Sequence, residues 1–237
     1  MRIIPVLDLK GGLIVRAEGG RRESYRPIVT PLSTDASPVS LVRGLRTLHP
    51  FPTFYIADLD AIERRTPNTQ ALDRLARMED APDLWLDAGF ADEASLVAAL
   101  EHPRLRPVLG SESQRDEVLL RRFMGFPDLV LSLDFSPGGF RGPEAILSDA
   151  TLWPQTIIVM TLARVGSGTG PDLERLQEIK ARAGNRTIIA AGGIRHEDDL
   201  RRLAESGIAG ALIATALHDG ALTPAQLARL GAMKPAP

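Results

Sequence analysis

The chain has no cysteine, only three lysines against 25 arginines, no apolar run of membrane length and no surplus of charge of either sign. The missing cysteines exclude disulfides, thiolate nucleophiles and cysteine-based zinc sites together, and leave the redox compartment open. Lys10, Lys180 and Lys234 are the whole supply of candidates for Schiff-base chemistry. With no stretch near about 18 uninterrupted apolar residues, nothing is expected to span a membrane. Charge appears between Met1 and Asp8, and no signal-peptide apolar core follows it. Twenty-eight basic against 30 acidic residues give a net charge of -2, too even for a chain that grips a phosphate backbone, so no nucleic-acid partner is expected. The expectation is a soluble cytoplasmic protein, 44% apolar and 24% charged as ordinary folded domains are.

What the sequence does have is a rhythm. Eight short apolar runs recur: Ile3–Leu9, Thr53–Asp58, Leu84–Asp87, Arg106–Leu109, Leu129–Asp134, Thr156–Thr161, Thr187–Ala191 and Ala209–Ala214. Runs this apolar, without alternation, read as strands buried on both faces, as in a parallel sheet. Between them, Ser37–His49, Gln70–Met78, Asp92–Glu101, Pro171–Ala183 and His196–Ser206 carry apolar residues at helical spacing. Eight strands alternating with helices in 237 residues predict one (β/α)₈ barrel domain over residues 1–237, with an open doubly wound sheet as the runner-up. A faint internal repeat supports two half-barrels. Leu86-Asp87-Ala88-Gly89 lines up with Ala190-Ala191-Gly192-Gly193, 104 residues later, and Asp8 with Gly11-Gly12 is echoed by Asp134 with Gly138-Gly139. The tail Leu230–Pro237 reads as a frayed end.

Two sets of residues carry chemistry. Gly192 and Gly193 close the seventh run and precede a helix, where free N–H groups and close backbone approach suit an anion. Ala214 and Thr215 follow the eighth run, and in barrels a phosphate site forms after these two strands. The alternative is tight helix–strand packing with no ligand. The other set is acidic: Asp8 and Asp134 end the first and fifth runs, which face each other across a barrel mouth. Asp58 with Asp60, and Asp87, end the second and third. A carboxylate after a buried run is either hydrogen-bonded structure or a proton-transfer group. The stretch Gly166-Ser167-Gly168-Thr169-Gly170-Pro171 reads equally as an anion-cradling loop or a plain connection into a Pro-started helix. His49, His102, His196 and His218 show no metal-ligand spacing, so no metal is expected.

With these residues in view, the chain from Ile3 to about Leu222 resembles the histidine-biosynthesis barrels, as a divergent relative of their ribotide-isomerase branch. The segments IIPVLDLKGGLIVRAEGGRRE, FYIADLDAI, LVLSLDF, IIVMTLAR, IIAAGGIRHEDDL and GALIATAL carry the likeness. It implies a cytosolic barrel that isomerises a phosphorylated ribose ligand by an Amadori rearrangement, aminoaldose to aminoketose, without metal or cofactor. It also implies that Asp8, Asp134 and Thr161 are catalytic, and that Arg16 and the loop Gly20-Arg21-Arg22 close over the ligand. The partners implied are a phosphorylated small molecule and, at most, further copies of the chain in a small homo-oligomer.

The departures are as informative. Where the family carries a second proton-transfer aspartate after strand six, this chain has Gly166. Where the family carries a glycine-rich turn and an arginine after strand three, it has Asp87-Ala88-Gly89-Phe90-Ala91, and strand four ends Gly110-Ser111-Glu112-Ser113. Asp87 and Glu112 are therefore expected to repel a second phosphate, by roughly 3 kcal/mol per charge pair at about 5 Å and an effective dielectric of about 20. Ser111 and Gly168 are secondary candidates beside them. Three functions follow: an isomerase-type enzyme with Asp8 as base, a changed enzyme running a lyase or condensation step in cofactor biosynthesis, or a non-catalytic phosphometabolite-binding barrel. A Schiff-base aldolase is disfavoured, because Met160 and Thr161, not lysine, end the sixth run.

Overall fold

All eight apolar runs form strands, with boundaries within about two residues of the reading above. The computed structural model describes residues 1–17, 22–64 and 66–236. In chain order the strands are β1 (Arg2–Lys10), β2 (Leu13–Arg16), β3 (Arg26–Pro27), β4 (Thr53–Asp58), β5 (Asp83–Asp87), β6 (Leu105–Gly110), β7 (Val130–Ser136), β8 (Gly139–Arg141), β9 (Thr156–Thr161), β10 (Thr187–Ala191) and β11 (Gly210–Ile213). The helices are α1 (Pro38–Leu48), α2 (Leu59–Arg64), α3 (Thr69–Ala76), α4 (Glu93–Leu100), α5 (Val118–Phe123), α6 (Glu144–Ser148), α7 (Leu173–Ala183), α8 (Glu197–Glu205), α9 (Thr215–His218) and α10 (Pro224–Ala232). Eight parallel strands close a ring in the order β1, β4, β5, β6, β7, β9, β10, β11 and back to β1. The seam pairs Arg2 with Gly210 and Pro5 with Ile213. This is a (β/α)₈ barrel.

Side-chain parity divides its core in two. Ile4, Tyr55, Trp85, Val108, Val130, Ile158, Ile189 and Leu212 fill the barrel interior. Their neighbours Leu7, Phe54, Leu86, Leu109, Leu131, Ile157, Ile188 and Ile213 face the helices. Being buried on both faces is why the strands read as continuous apolar runs. Helix starts are fixed by side-chain caps: Ser37 accepts from the Ser40 N–H, Asp92 from that of Ser95, and Thr223 forms a capping box with Gln226. The helix expected to start at Pro171 begins two residues later, because Asp172 takes the N-cap and accepts from the Arg175 N–H.

Three short strands lay outside the sequence reading. β2 and β8 fold back on β1 and β7 as antiparallel hairpins, turning at Gly11-Gly12 and at Pro137-Gly138, and β3 extends the first of them. The echo between Asp8 and Asp134 is thus an echo of structure: each half-barrel opens with a strand that bends back beside its own aspartate.

As far as Ala236 the tail is not frayed. α10 carries the buried Leu227 and Leu230, the Met1 ammonium donates to the Leu230 and Met233 carbonyls, and the Ala236 N–H donates to Ala204 O at 2.9 Å. Two buried leucines at helical spacing outweigh the small residues that suggested fraying. No helix among the described residues is long and apolar enough to cross a membrane.

Candidate active site

Parity decides which polar residues reach the mouth of the barrel. On β1 the inward series Ile4, Val6 ends at Asp8; on β5, Trp85 is followed by Asp87; on β7, Val130 and Ser132 are followed by Asp134. Register then aligns Asp8 with Ala57 and Ala57 with Asp87, while Asp134 aligns with Met160 and Met160 with Ala191. Above this layer opens a cavity of about 520 Å³, lined by Asp8, Tyr55, Asp87, Glu112 and Asp134 among others on one side. On the other side it is lined by Gly166, Gly168, Gly192, Gly193, Ala214 and Thr215.

The small-residue side is backbone. Gly192 and Gly193 have positive φ (104° and 81°), and a Cβ at Gly193 would meet the Gly170 carbonyl oxygen at 2.1 Å. No other residue fits either position, and the turn is left as bare backbone facing the cavity. The Gly170 N–H donates to Gly193 O at 3.0 Å, which ties the Gly166–Gly170 loop to this turn. The loop's hydroxyls are taken up locally: Ser167 Oγ lies 2.8 Å from Thr169 Oγ1 and 2.9 Å from the Arg164 carbonyl.

The carboxylate side is crowded. Gly110 lacks a side chain where Asp87 and Asp134 converge; their Oδ2 atoms lie 3.3 and 3.5 Å from where its Cβ would stand. Tyr55 Oη donates to Asp87 Oδ2 at 3.3 Å, and the Gly89 N–H donates to Asp87 Oδ1 at 3.0 Å. Asp134 accepts from Ser132 Oγ at 2.7 Å and from the Glu112 N–H at 3.1 Å. Asp8 differs: its carboxylate makes no hydrogen bond among the described residues. Burial raises all three carboxyls, Asp8 and Asp87 to about 6 and Asp134 to about 7. Neighbouring Glu112 pushes Asp87 and Asp134 further up, and Arg22 draws Asp8 back down.

Arginines frame the rim. Arg16 reaches Asp219 at 2.5 Å, and Arg195 grips Asp199 through Nε and Nη2 at 2.9 and 2.7 Å. Arg22 donates to Glu112 Oε1 at 2.6 Å, while Arg141 Nε stands 3.5 Å from Glu112 Oε2. Glu112 is therefore not a bare charge, and the repulsion expected of it toward a second phosphate is reduced by two cations.

Several candidates change place. Asp58 is wholly buried but outside the cavity: it accepts from the Ala61 N–H at 3.2 Å and from Asn68 N and Nδ2, both at 2.7 Å, which makes it a structural acid. Asp60 likewise holds the Gly11 N–H at 2.6 Å. Thr161 pairs with Phe135 on the helix-facing parity of β9 and does not line the cavity; Met160 does. Ser111 lies beneath the site, donating to Arg141 O at 2.7 Å and accepting from the Asp134 N–H at 3.0 Å. Gly20 and Arg21 lie outside the described residues. The sequence reading missed Tyr55, legible only from its inward parity, and His218. His218 lines the cavity near Thr30 Oγ1 at 3.3 Å, and burial lowers its pKa to about 4, so the ring is neutral. No group of three or more potential metal ligands occurs among the described residues.

This arrangement can pair proton-transfer carboxyls with an anion held by backbone N–H groups. The chain is 26% identical to an uncharacterized protein of Methanocaldococcus jannaschii, covering 94% of this chain and 95% of the other. It is 30% identical to isomerases of Roseiflexus sp. and Rubrobacter xylanophilus, named for an imidazole-4-carboxamide bearing two phosphoribosyl groups. Those matches cover 94% and 95% of this chain, and 96% and 94% of the relatives. A family model described as histidine biosynthesis protein matches residues 2–223, and the chain belongs to that family.

Proposed function

We propose that the protein is an aldose–ketose isomerase acting on a phosphorylated ribose-like ligand, with Asp8 as base and Asp134 as acid. The carrying observation is the Asp8 carboxylate, without a hydrogen-bond partner among the described residues, set in the same cavity as Asp134 and opposite the Gly192-Gly193 and Ala214-Thr215 turns. A phosphate held on those turns puts the sugar over the carboxylates. Asp134, protonated up to about pH 7, protonates the ring oxygen, and the C1–O bond opens. Asp8, ionised above about pH 6, removes the C2 proton from the opened C1=N form and delivers it to C1, while the C2 hydroxyl returns its proton to Asp134 and becomes the ketone. Tyr55 holds Asp87 beside the pair.

Gly166 favours a second reading. It lines the cavity where the family's other acid stands, so a lyase or condensation step built on the same cup is the alternative.

Asp8→Asn keeps the shape and removes the base; turnover of a phosphorylated aminoaldose is expected to fall by about 10²-fold or more. Wild-type kcat/KM should follow a narrow bell, rising as Asp8 ionises near pH 6 and falling as Asp134 ionises near pH 7. A mutant with near wild-type turnover, or a flat profile from pH 5 to 8, would return both aspartates to structure.

A further inference from the structure

The Arg22–Glu112–Arg141 group lines the cavity and is left unused by the proposed chemistry. Arg22 comes from the segment after the first hairpin, Arg141 from the hairpin strand β8, and Glu112 from the turn after β6. Each oxygen of Glu112 faces a different guanidinium, Oε1 toward Arg22 at 2.6 Å and Oε2 toward Arg141 at 3.5 Å. Its side chain is only 12% exposed, and all three residues line the cavity. Two guanidiniums from separate elements bracketing one anion is the geometry in which proteins hold a phosphate or carboxylate. Here the anion is part of the chain. The seat is also anchored: the Arg22 carbonyl accepts from Lys10 Nζ at 2.7 Å, and the Glu112 N–H is donated to Asp134.

The charges around the seat point the same way. Asp8, Asp87 and Asp134 form no ion pair among the described residues, and Asp87 stands close enough to Glu112 for the two to repel. A second ligand phosphate entering this side would have to displace Glu112 and then face those carboxyls unaided. On the opposite side the cavity offers backbone turns, and the carboxylate beside them, Asp219, is half exposed and paired with Arg16.

We propose that Glu112 is a built-in anion filling a two-arginine seat on the carboxylate side of the cup, so that the cup accepts substrates with one phosphate. This rests on the phosphate reading of the Gly192-Gly193 turn, and it makes Glu112 the specificity-determining residue. Removing the acid leaves Arg22 and Arg141 facing an empty place of the right charge for a second phosphate.

The test compares ribose 5-phosphate with ribulose 1,5-bisphosphate by calorimetry, and inorganic phosphate in crystals. Wild type should bind ribose 5-phosphate about tenfold or more tightly than the bisphosphate. Glu112→Ala should tighten the bisphosphate by about tenfold or more and move ribose 5-phosphate by less than about threefold. Adding Arg141→Ala should abolish that gain. Glu112→Gln, which keeps the shape and one hydrogen bond, should shift the ratio the same way by less, and serves if the alanine variant fails to fold. Crystals soaked in inorganic phosphate should show the ion between Arg22 and Arg141 in the Glu112 variant and not in wild type. Phosphate on the arginines of wild type, wild-type binding of the bisphosphate as tight as that of ribose 5-phosphate, or an unchanged ratio in both variants overturns the proposal. The function reading fails separately: Thr215→Asp would then leave ribose 5-phosphate binding untouched, while the soaked crystals still decide the seat.

Discussion

Asp8 is a carboxylate at the end of an inward-facing series, with nothing donating to it among the described residues. Its folded pKa of about 6 lies above the unfolded value of 3.8, so its contribution to stability is fully present below about pH 4 and lost as pH rises through 6. Asp8→Asn removes that loss without breaking a hydrogen bond. The variant should melt with wild type at pH 4 and be more stable by about 3 kcal/mol at pH 8, read by thermal or urea unfolding. A stabilised but inactive variant is the signature of a residue kept for chemistry. At this scale the sequence was legible where a carboxylate stood alone after an apolar run, as at Asp8 and Asp134. It misled at Asp58 and Thr161, because a residue at a strand end faces either the cup or the helices, and one step along the strand reverses the choice. His218 and Tyr55 were missed because nothing local separates an inward ring from a core ring.

At the scale of elements, boundaries came from apolar runs and caps, and both signals are local. The hairpins of β2 and β8 carried only weak marks: β2 is four residues long and β8 three, and each is set by a glycine turn whose partner strand had already been counted. Asp58 shows what an element junction costs. It binds the start of α2 and the approach to α3 through three donors, two of them on one oxygen. An amide in its place turns an N–H toward an N–H in either orientation. Asp58→Asn is expected to destabilise by about 2–3 kcal/mol in urea titrations, with kcat per folded molecule within about twofold of wild type. A large loss of kcat with unchanged stability would restore Asp58 to the site.

Across the whole molecule, charge is arranged by side: backbone turns on one half of the mouth, carboxyls and a self-filled arginine pair on the other. The substrate with two phosphoribosyl groups, for which the isomerase relatives are named, should therefore be handled poorly. Expression in a histidine auxotroph lacking that isomerase should not restore growth, and purified protein should turn it over well below the usual enzymatic 1–10 s⁻¹. Growth at wild-type rate would mean that Glu112 yields its place to the ligand. The ring itself closes far from this chemistry. Gly210 joins β11 to both β1 and β10, and a methyl group there would stand 2.8 Å from Arg2 Cβ and 2.9 Å from Ile189 Cδ1. Because Arg2 meets Gly210 across nearly the entire length of the chain, this contact carries a heavy loop-closure cost and is expected to form late in folding. Gly210→Ala wedges that join. Refolding should slow, and amide hydrogens of Ile3 to Pro5's neighbours and of Ala211 to Ile213 should exchange faster than those of β5 and β6, with about 1–3 kcal/mol lost overall. A ring of eight strands has no edge, but it has a last rivet.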